Sequence, residues 1–410
     1  MIDWLSARLD ALGTVERGRS RHRPRNDPSL YGGAYPFFQT GDVKAAEFRL
    51  TDYSQTYNEA GLAQSRLWQP GTLCITIAAN IAESAILGIP GCFPDSIVGF
   101  IPDPQVADVR FVKYLLDTTK LRMQAISRGT TQDNLSLEKL LSLEFSVPLL
   151  HVQRKIAAVL AAYDELIENN LRRIEILEEM AQAIYREWFV NFRYPRHEAG
   201  DLVDSPLGPI PEGWRPETFE TIASEVRDGA DPADLDPTTP YVGLEHIPRQ
   251  SVALQKWGRV TDVKSKKWSF VEGDILFGKL RPYFHKVVET PLSGVCSTDA
   301  IVIRPRERYR EYALLTAASP EFVGHATATA GGTDRPRAKW SDLAAFEILL
   351  PPDALLGQLS SVVRPKIDLI LNLVRQNRNL REARDLLLPK LVSGEIDVSN
   401  LDIDTSWLAA

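Results

Sequence analysis

The stretch IAAVLAAYDELIENNLRRIEILEEMAQAIYREW, running from Ile156 to Trp188, decides the fold. Its Ile156, Leu160, Tyr163, Ile167, Asn170, Ile174, Leu177, Ala181, Ile184 and Trp188 recur in alternating steps of four and three. That spacing keeps one narrow apolar stripe facing a partner helix. No proline or glycine interrupts the run from Val152 to Val190. About 40 helical residues at ~1.5 Å each make a rod of roughly 60 Å, too long to bury its stripe within one small domain. The chain supplies a second long helix from about Ala354 to Val392. Leu359, Val363, Ile367, Ile370, Val374, Asn377, Leu380 and Leu387 lie near one face of it. Its spacing leaves strict heptads after Asn377, and Pro365 is expected to kink or delay its start. Asn170 and Asn377 both fall on the seams, where a buried amide pair fixes register; two polar positions tolerated at an exposed edge are the alternative.

Outward from the helices the chain repeats itself at an offset of about 203 residues. Trp4 stands opposite Trp214, Pro36-Phe37-Phe38 opposite Pro240-Tyr241-Val242, and Gly71-Thr72-Leu73 opposite Gly273-Asp274-Ile275. Gly129-Thr130-Thr131 answers Gly332-Thr333-Asp334, and Pro148 answers Pro351. Chance matches scatter in register, so ordered matches at one offset indicate duplication. The expected organisation is a first domain at 1–148, a long helix at 149–194 and a linker at 195–212. A second domain follows at 213–351, a second long helix at 352–394 and an acidic tail at 395–410. Pro195, Pro206, Pro209 and Pro211 exclude a continuous helix or central strand from the linker. Short apolar runs such as Leu73–Ala78, Asp274–Phe277 and Ala300–Ile303 predict strands, and Val109–Thr118 and Tyr309–Ala318 predict helices. The fold class is α+β: two repeated mixed α/β domains separated by a long two-helix coiled coil. A pseudo-two-fold axis between halves that each consist of a domain followed by a helix makes the pair antiparallel.

The chain's 44% hydrophobic and 25% charged content is that of a globular protein with real cores. No apolar run is long enough for a membrane helix, and the N-terminal Met1-Ile2-Asp3-Trp4 resembles neither a signal nor a transit peptide; a cytoplasmic location is expected. Three cysteines without a Cys-x-x-Cys pair argue against a disulfide framework or zinc site. The net charge of −7 conceals segregation. Arg17, Arg19, Arg21, Arg23 and Arg25 alternate near the start, and Arg304, Arg306, Arg308 and Arg310 alternate later. A polyanion responds to local fields and not to the formal sum.

Reading DNA requires cations for phosphate and planar donors or acceptors for base edges. In the second half the candidates are Lys264, Lys266, Lys267, Lys279, Arg281, Arg335, Arg337 and Lys339, with Trp268 and Tyr283 interleaved. Arg335, Arg337 and Lys339 follow Gly331-Gly332, a stretch able to approach a groove closely. In the first half the repeat points to Arg128, Thr130, Thr131, Gln132 and Asn134, and the early arginine run adds to them. A solvated charged face is the plain alternative for each cation, and a turn capping the helix at Leu135–Leu140 is the alternative for the Gly129–Asn134 run. Readers held about one ~34 Å duplex turn apart would address two short sequences with an unread gap. No Gly-x-x-x-x-Gly-Lys-Ser/Thr loop occurs, nor a Phe-x-Gly-x-Gly loop or an Asn/Asp-Pro-Pro-aromatic motif. The six histidines are scattered. No catalysis by this chain is expected.

The motifs of the first helix resemble the central helix of specificity (S) subunits of Type I restriction–modification systems. They are Gln153-Arg154-Lys155-Ile156, Ile167-Glu168-Asn169-Asn170, Ile174-Glu175-Ile176-Leu177-Glu178-Glu179-Met180-Ala181 and Tyr185-Arg186-Glu187-Trp188-Phe189. Leu380-Arg381-Glu382-Ala383-Arg384-Asp385-Leu386-Leu387 with Ser393-Gly394-Glu395 resembles that family's distal helix, and Gly273-Asp274-Ile275-Leu276-Phe277 with Lys279-Leu280-Arg281-Pro282-Tyr283 is also typical. The resemblance implies a non-catalytic subunit that binds double-stranded DNA at a bipartite site, one half per target-recognition domain. It implies partners as well: two modification (methyltransferase) subunits and restriction (translocase–nuclease) subunits, with S-adenosylmethionine and ATP on those partners and no cofactor on this chain. The first domain lacks the Lys-x-Arg-Pro-Tyr element, having Thr76-Ile77-Ala78-Ala79-Asn80 instead. A coiled-coil protein-interaction scaffold and a self-contained DNA-modifying enzyme are the competing readings. The segregated basic clusters weigh against the first and the missing cofactor loop against the second.

Overall fold

The computed structural model describes residues 4–127, 135–195, 202–332 and 334–409. The chain divides into two compact units, Met1–Leu166 with Leu380–Ala410, and Ile167–Asn379. Each contains one globular domain and a stretch of both long helices.

In the first unit the apolar runs Leu73–Thr76 and Ser84–Leu87 are buried along their whole length, so they form inner strands. Their sheet runs in the order Gly13–Arg17, Ile97–Pro102, Leu73–Thr76, Ser84–Leu87 and Arg49–Leu50, antiparallel except for the last pair. Gly99 admits the Trp68 ring: a Cβ there would lie 2.5 Å from it. The helix Val109–Ser127 extends well beyond the expected Thr118. Leu5–Arg8 pairs with Glu144–Val147, the strand that leads into the first long helix.

The second unit repeats this plan. Its antiparallel sheet runs Ala223–Val226, Ala300–Pro305, Ile275–Gly278, Val287–Glu289, and Arg215–Thr218 pairs with Glu347–Leu350. Corresponding elements begin at 97 and 300, 137 and 340, 144 and 347, and 150 and 353, each pair 203 apart. A further five-stranded sheet, Gly229–Ala230, Lys267–Phe270, Gly294–Cys296, Pro240–Val242 and Gly258–Arg259, belongs to the second unit. The proline-rich segment before this domain holds a short hairpin, Leu202–Val203 with Ile210–Pro211. Beyond it Trp214 packs against Phe189 and Phe192, at 5.7 and 5.4 Å between ring centroids.

The long helices span Leu150–Tyr185, extended by a π turn over Arg186–Val190, and Asp353–Val392. In the first unit Asp164 meets Arg384, and in the second Asn170 meets Asn377. Partner numbers fall on one helix as they rise on the other, so the helices run antiparallel. Pro365 does not delay the second helix, which begins at Asp353 and is continuous through it. Pro365 and Ser361, whose carbonyl loses its donor, are both exposed, so water takes the missing partner's place.

The apparent slip after Asn377 is also corrected. The heptad steps continue through Arg381, Arg384, Leu388 and Leu391, and two arginines occupy the seam in place of leucines. Arg381 pairs with Glu47 at 2.8 Å and Arg384 with Asp164. Leu380 lies beside this line, half-buried. On the first helix Tyr163 is half-buried while the neighbouring Asp164 takes the buried place. Ile156, Leu160, Ile167, Asn170, Ile174, Ala181 and Trp188 are buried, and Leu177 and Ile184 pack partly buried against the core of the second unit. On the second helix Ile367, Ile370, Val374 and Asn377 are buried.

One ion-pair clamp and one hydrogen-bonded clamp fix domain to helix in the second unit. Arg364 of the second helix reaches the buried Glu289 at 3.1 Å, and Arg310 reaches the same carboxylate at 2.8 Å. Glu178 of the first helix accepts from Ser251 Oγ and the backbone N–H groups of Val252 and Ala253 at 2.8–3.0 Å. Burial pushes its carboxyl above the ordinary range despite those donors. The tail after Val392 is docked within the first unit. Val398 and Leu408 are buried, and Lys155 donates to the carbonyls of Ser399 and Leu401 at 2.7 and 2.8 Å.

The Asn170 Nδ2–Asn377 Oδ1 bond is 2.9 Å and buried. Asn170→Leu is expected to cost about 1–3 kcal/mol by stranding the Asn377 amide, and Asn170→Leu with Asn377→Leu to recover most of it. Denaturant midpoints of the two variants check this; a single variant as stable as the parent would refute the role.

Candidate nucleic-acid interface

In the second unit the turn from Lys279 to Lys286 joins two buried strands and is held from both sides. Arg281 N–H donates to Pro336 O at 2.7 Å, and Ala338 N–H to Lys279 O at 2.9 Å. Leu280 and Gly331 each bridge to Arg337. On the other flank Gln250 N–H donates to His285 O at 2.8 Å. Lys279, Arg281, Arg335, Arg337 and Lys339, scattered over 61 positions of sequence, therefore sit on two segments hydrogen-bonded to each other. Arg335, Arg337 and Lys339 are exposed; Lys279 and Arg281 are half-buried. Arg337 keeps a 3.3 Å ion pair with Asp299, a carboxylate that orients the guanidinium without burying it. Gly332 takes φ +102°, a conformation L side chains rarely adopt, which lets the segment turn back toward Arg337.

Tyr283 stands at the tip, 52% exposed, edge-on to Phe284 at 4.9 Å. Arg249 stacks over the other ring of the pair, Phe284, at 4.1 Å. Arg281 and His285 both lie in the left-handed region, at φ +52° and +51°. Non-glycine residues seldom adopt that conformation, and such strain concentrates at functional turns. The equivalent turn of the first unit carries the same signature at Ala79 and Ala82, φ +61° and +63°.

The structure buries one sequence candidate, Lys267, and half-buries its neighbour Trp268. Lys267 is only 5% exposed: its Nζ donates to Ser265 O and Oγ at 2.6 and 2.7 Å, and burial lowers its pKa. Its ammonium is taken up by these neighbouring oxygens at the start of a strand, so it is no surface cation. Trp268 packs half-buried on the small core around Phe270 and Val242. Lys264 and Lys266, in the loop before that strand, are exposed.

In the first unit Arg128, Thr130, Thr131, Gln132 and Asn134 lie outside the described residues. Arg17, Arg19, Arg21, Arg23 and Arg25 are all exposed. The loop bearing the last of them is tied down: Arg25 pairs with Asp95 at 2.7 Å, Tyr31 Oη donates to Arg25 O at 2.7 Å, and His22 meets Asp27 at 2.8 Å. Backbone N–H of Ser29 heads the causes that hold Asp27 below the ordinary carboxylate range. Arg249 and Gln250 escaped sequence reading; the only local signal was a cation and an amide directly after a proline.

Each duplicated domain carries a strained turn and is followed by a long helix, and the second domain gathers exposed cations beside its turn. The sequence profile described as "Type I restriction modification DNA specificity domain" matches residues 1–179. The chain is 26% identical to the Type I restriction enzyme MjaIX specificity subunit of Methanocaldococcus jannaschii, covering 97% of this chain and 95% of that one. It is 24% identical to the HindI specificity subunit of Haemophilus influenzae, covering 97% and 100%. The crystal structure of the Type-I restriction-modification S subunit from M. genitalium shares the fold at a TM-score of 0.56 and 15% identity, over 95% of this chain and 96% of that one. Residues 1–179 thus match a Type I restriction–modification DNA specificity domain, and the similarity to specificity subunits runs through nearly the whole chain. That similarity supports a DNA-recognition role in association with modification and restriction subunits. Among the described residues no helix is long and apolar enough to cross a membrane.

Proposed function

We propose that this chain reads a bipartite DNA sequence, one half with each domain, and that the paired helices set the unread gap. It recruits two modification subunits, and restriction subunits join the full assembly in the cytoplasm. The carrying observation is the pair of equivalent turns. Both put two non-glycine residues at positive φ, yet one presents Arg281 and Tyr283 and the other Ala79 and Asn80. One backbone frame bearing unlike side chains suits two halves of unlike sequence. In the second domain Arg281, Arg335, Arg337, Lys339 and Tyr283 form the proposed contact surface, and Lys264 and Lys266 add phosphate contacts.

Lys266→Ala is expected to weaken binding to every sequence alike, because a phosphate contact carries no sequence information. Arg337→Ala is expected to relax preference in one half-site, a bidentate base contact being worth ~1–3 kcal/mol of discrimination. Fluorescence anisotropy on matched and scrambled duplexes, with the modification subunit present, distinguishes the two. Equal losses for both variants would refute the division of labour.

A further inference from the structure

The first domain contains a polar cleft of about 240 Å³ that none of the sequence candidates touches except Arg25. Arg25, Asn26, Gln39 and Gln55 line its polar side, and Tyr31 and Phe37 its aromatic side. Gln55 sits directly across the strand pair from Phe37, and Gln39 follows two residues after it. Gln39 Nε2 donates to Gln55 Oε1 at 2.7 Å.

That bond changes what the cleft recognises. A free glutamine amide offers a donor and an acceptor side by side, the pattern that suits adenine. Here the Gln55 carbonyl is engaged, and its amino group keeps two N–H donors. Arg25 commits Nη2 to both oxygens of Asp95, leaving Nε and Nη1 as further donors. Arg25 and Gln55 therefore both bring free donors to the lining of the cleft. Guanine, with O6 and N7 adjacent in the major groove, is the base edge that offers two neighbouring acceptors and no donor, where thymine offers one acceptor beside a methyl group.

We propose that this cleft reads a guanine in the half-site of the first domain, with Gln55 donating to the base edge and Gln39 acting as the positioning residue that keeps the Gln55 carbonyl occupied. The assignment rests on the reading of the chain as a bipartite DNA reader.

The test expresses the full chain with its modification subunit and maps the methylated motif across host DNA by sequencing. Gln55→Ala is expected to make one guanine position degenerate, by about tenfold or more in preference, within one half of the motif only. Gln39→Ala frees the Gln55 carbonyl and is expected to admit adenine at that same position. Gln55→Glu, which presents acceptors only, is expected to reject guanine there. An unchanged motif for Gln55→Ala in a complex that melts like the parent overturns the assignment, and so does equal degradation of both halves. A parent motif that is not bipartite overturns the underlying functional reading instead, so the two failures are separable.

Discussion

Asp164→Ala is expected to destabilise the first unit by about 3–5 kcal/mol, the ordinary cost of breaking a buried ion pair, and to lower its melting temperature by roughly 10 °C. Asp164 is 2% exposed and holds two partners, the Tyr114 hydroxyl and the Arg384 guanidinium. Burial raises its carboxyl above the ordinary range, and Arg384 pulls it back only in part. The same Arg384 is held charged by Asp164 and Asp385 against its own burial. Desolvation therefore outweighs attraction at the carboxylate, and the pair adds little net stability even though breaking it is costly. A second outcome follows from that sign. Tyr114→Phe, Asp164→Leu and Arg384→Met together remove every polar member at once, and the triple variant is expected to melt near the parent temperature. Calorimetry of the single and triple variants decides it. A triple variant as unstable as Asp164→Ala would mean the pair is a true net stabiliser and that apolar packing cannot replace it.

This pair also marks where sequence reading ended. Apolar periodicity found the first helix because its stripe is almost wholly hydrophobic. On the second helix the same 4–3 rhythm passes through Arg381 and Arg384, and a search for apolar residues takes charged positions for a slip. The arginines belong there because Glu47 and Asp164, far away in sequence, neutralise them. The duplication was legible because glycine and proline punctuation survived at one offset, and the 203-residue spacing of whole elements repeats it.

The candidate site was legible where charge was dense. Arg335, Arg337 and Lys339 lie in one run, but their union with Lys279 and Arg281 required two loops to meet across a bridge at Leu280 and Arg337. Density also misled. Lys267 shares a run with Lys264 and Lys266, but it is buried and its ammonium is held by Ser265. Gln39 and Gln55 gave no signal at all: uncharged, 16 residues apart, and given meaning only by one hydrogen bond.

The largest effect on binding is expected from removing the cations of the second domain together. Arg281, Arg335 and Lys339 lie on the two clasped segments, and neither Arg335 nor Lys339 is held by an ion pair among the described residues. If each meets a phosphate, each releases a counterion, and the slope of log affinity against log salt changes by about 0.9 per contact. The triple alanine variant is therefore expected to flatten that slope by nearly three and to weaken binding by roughly a hundredfold or more near physiological salt. Arg281 requires separate treatment because its backbone N–H anchors Pro336 and its φ is positive. Alanine keeps the N–H and also the Cβ that strains the left-handed turn, so Arg281→Gly is the companion that relieves strain while deleting the charge. Titrations at several salt concentrations, on cognate and scrambled duplexes with the modification subunit bound, give slope and affinity together. Loss of affinity with an unchanged slope would show that the loop was disturbed without losing phosphate contacts. It would place the duplex on some other face of the domain.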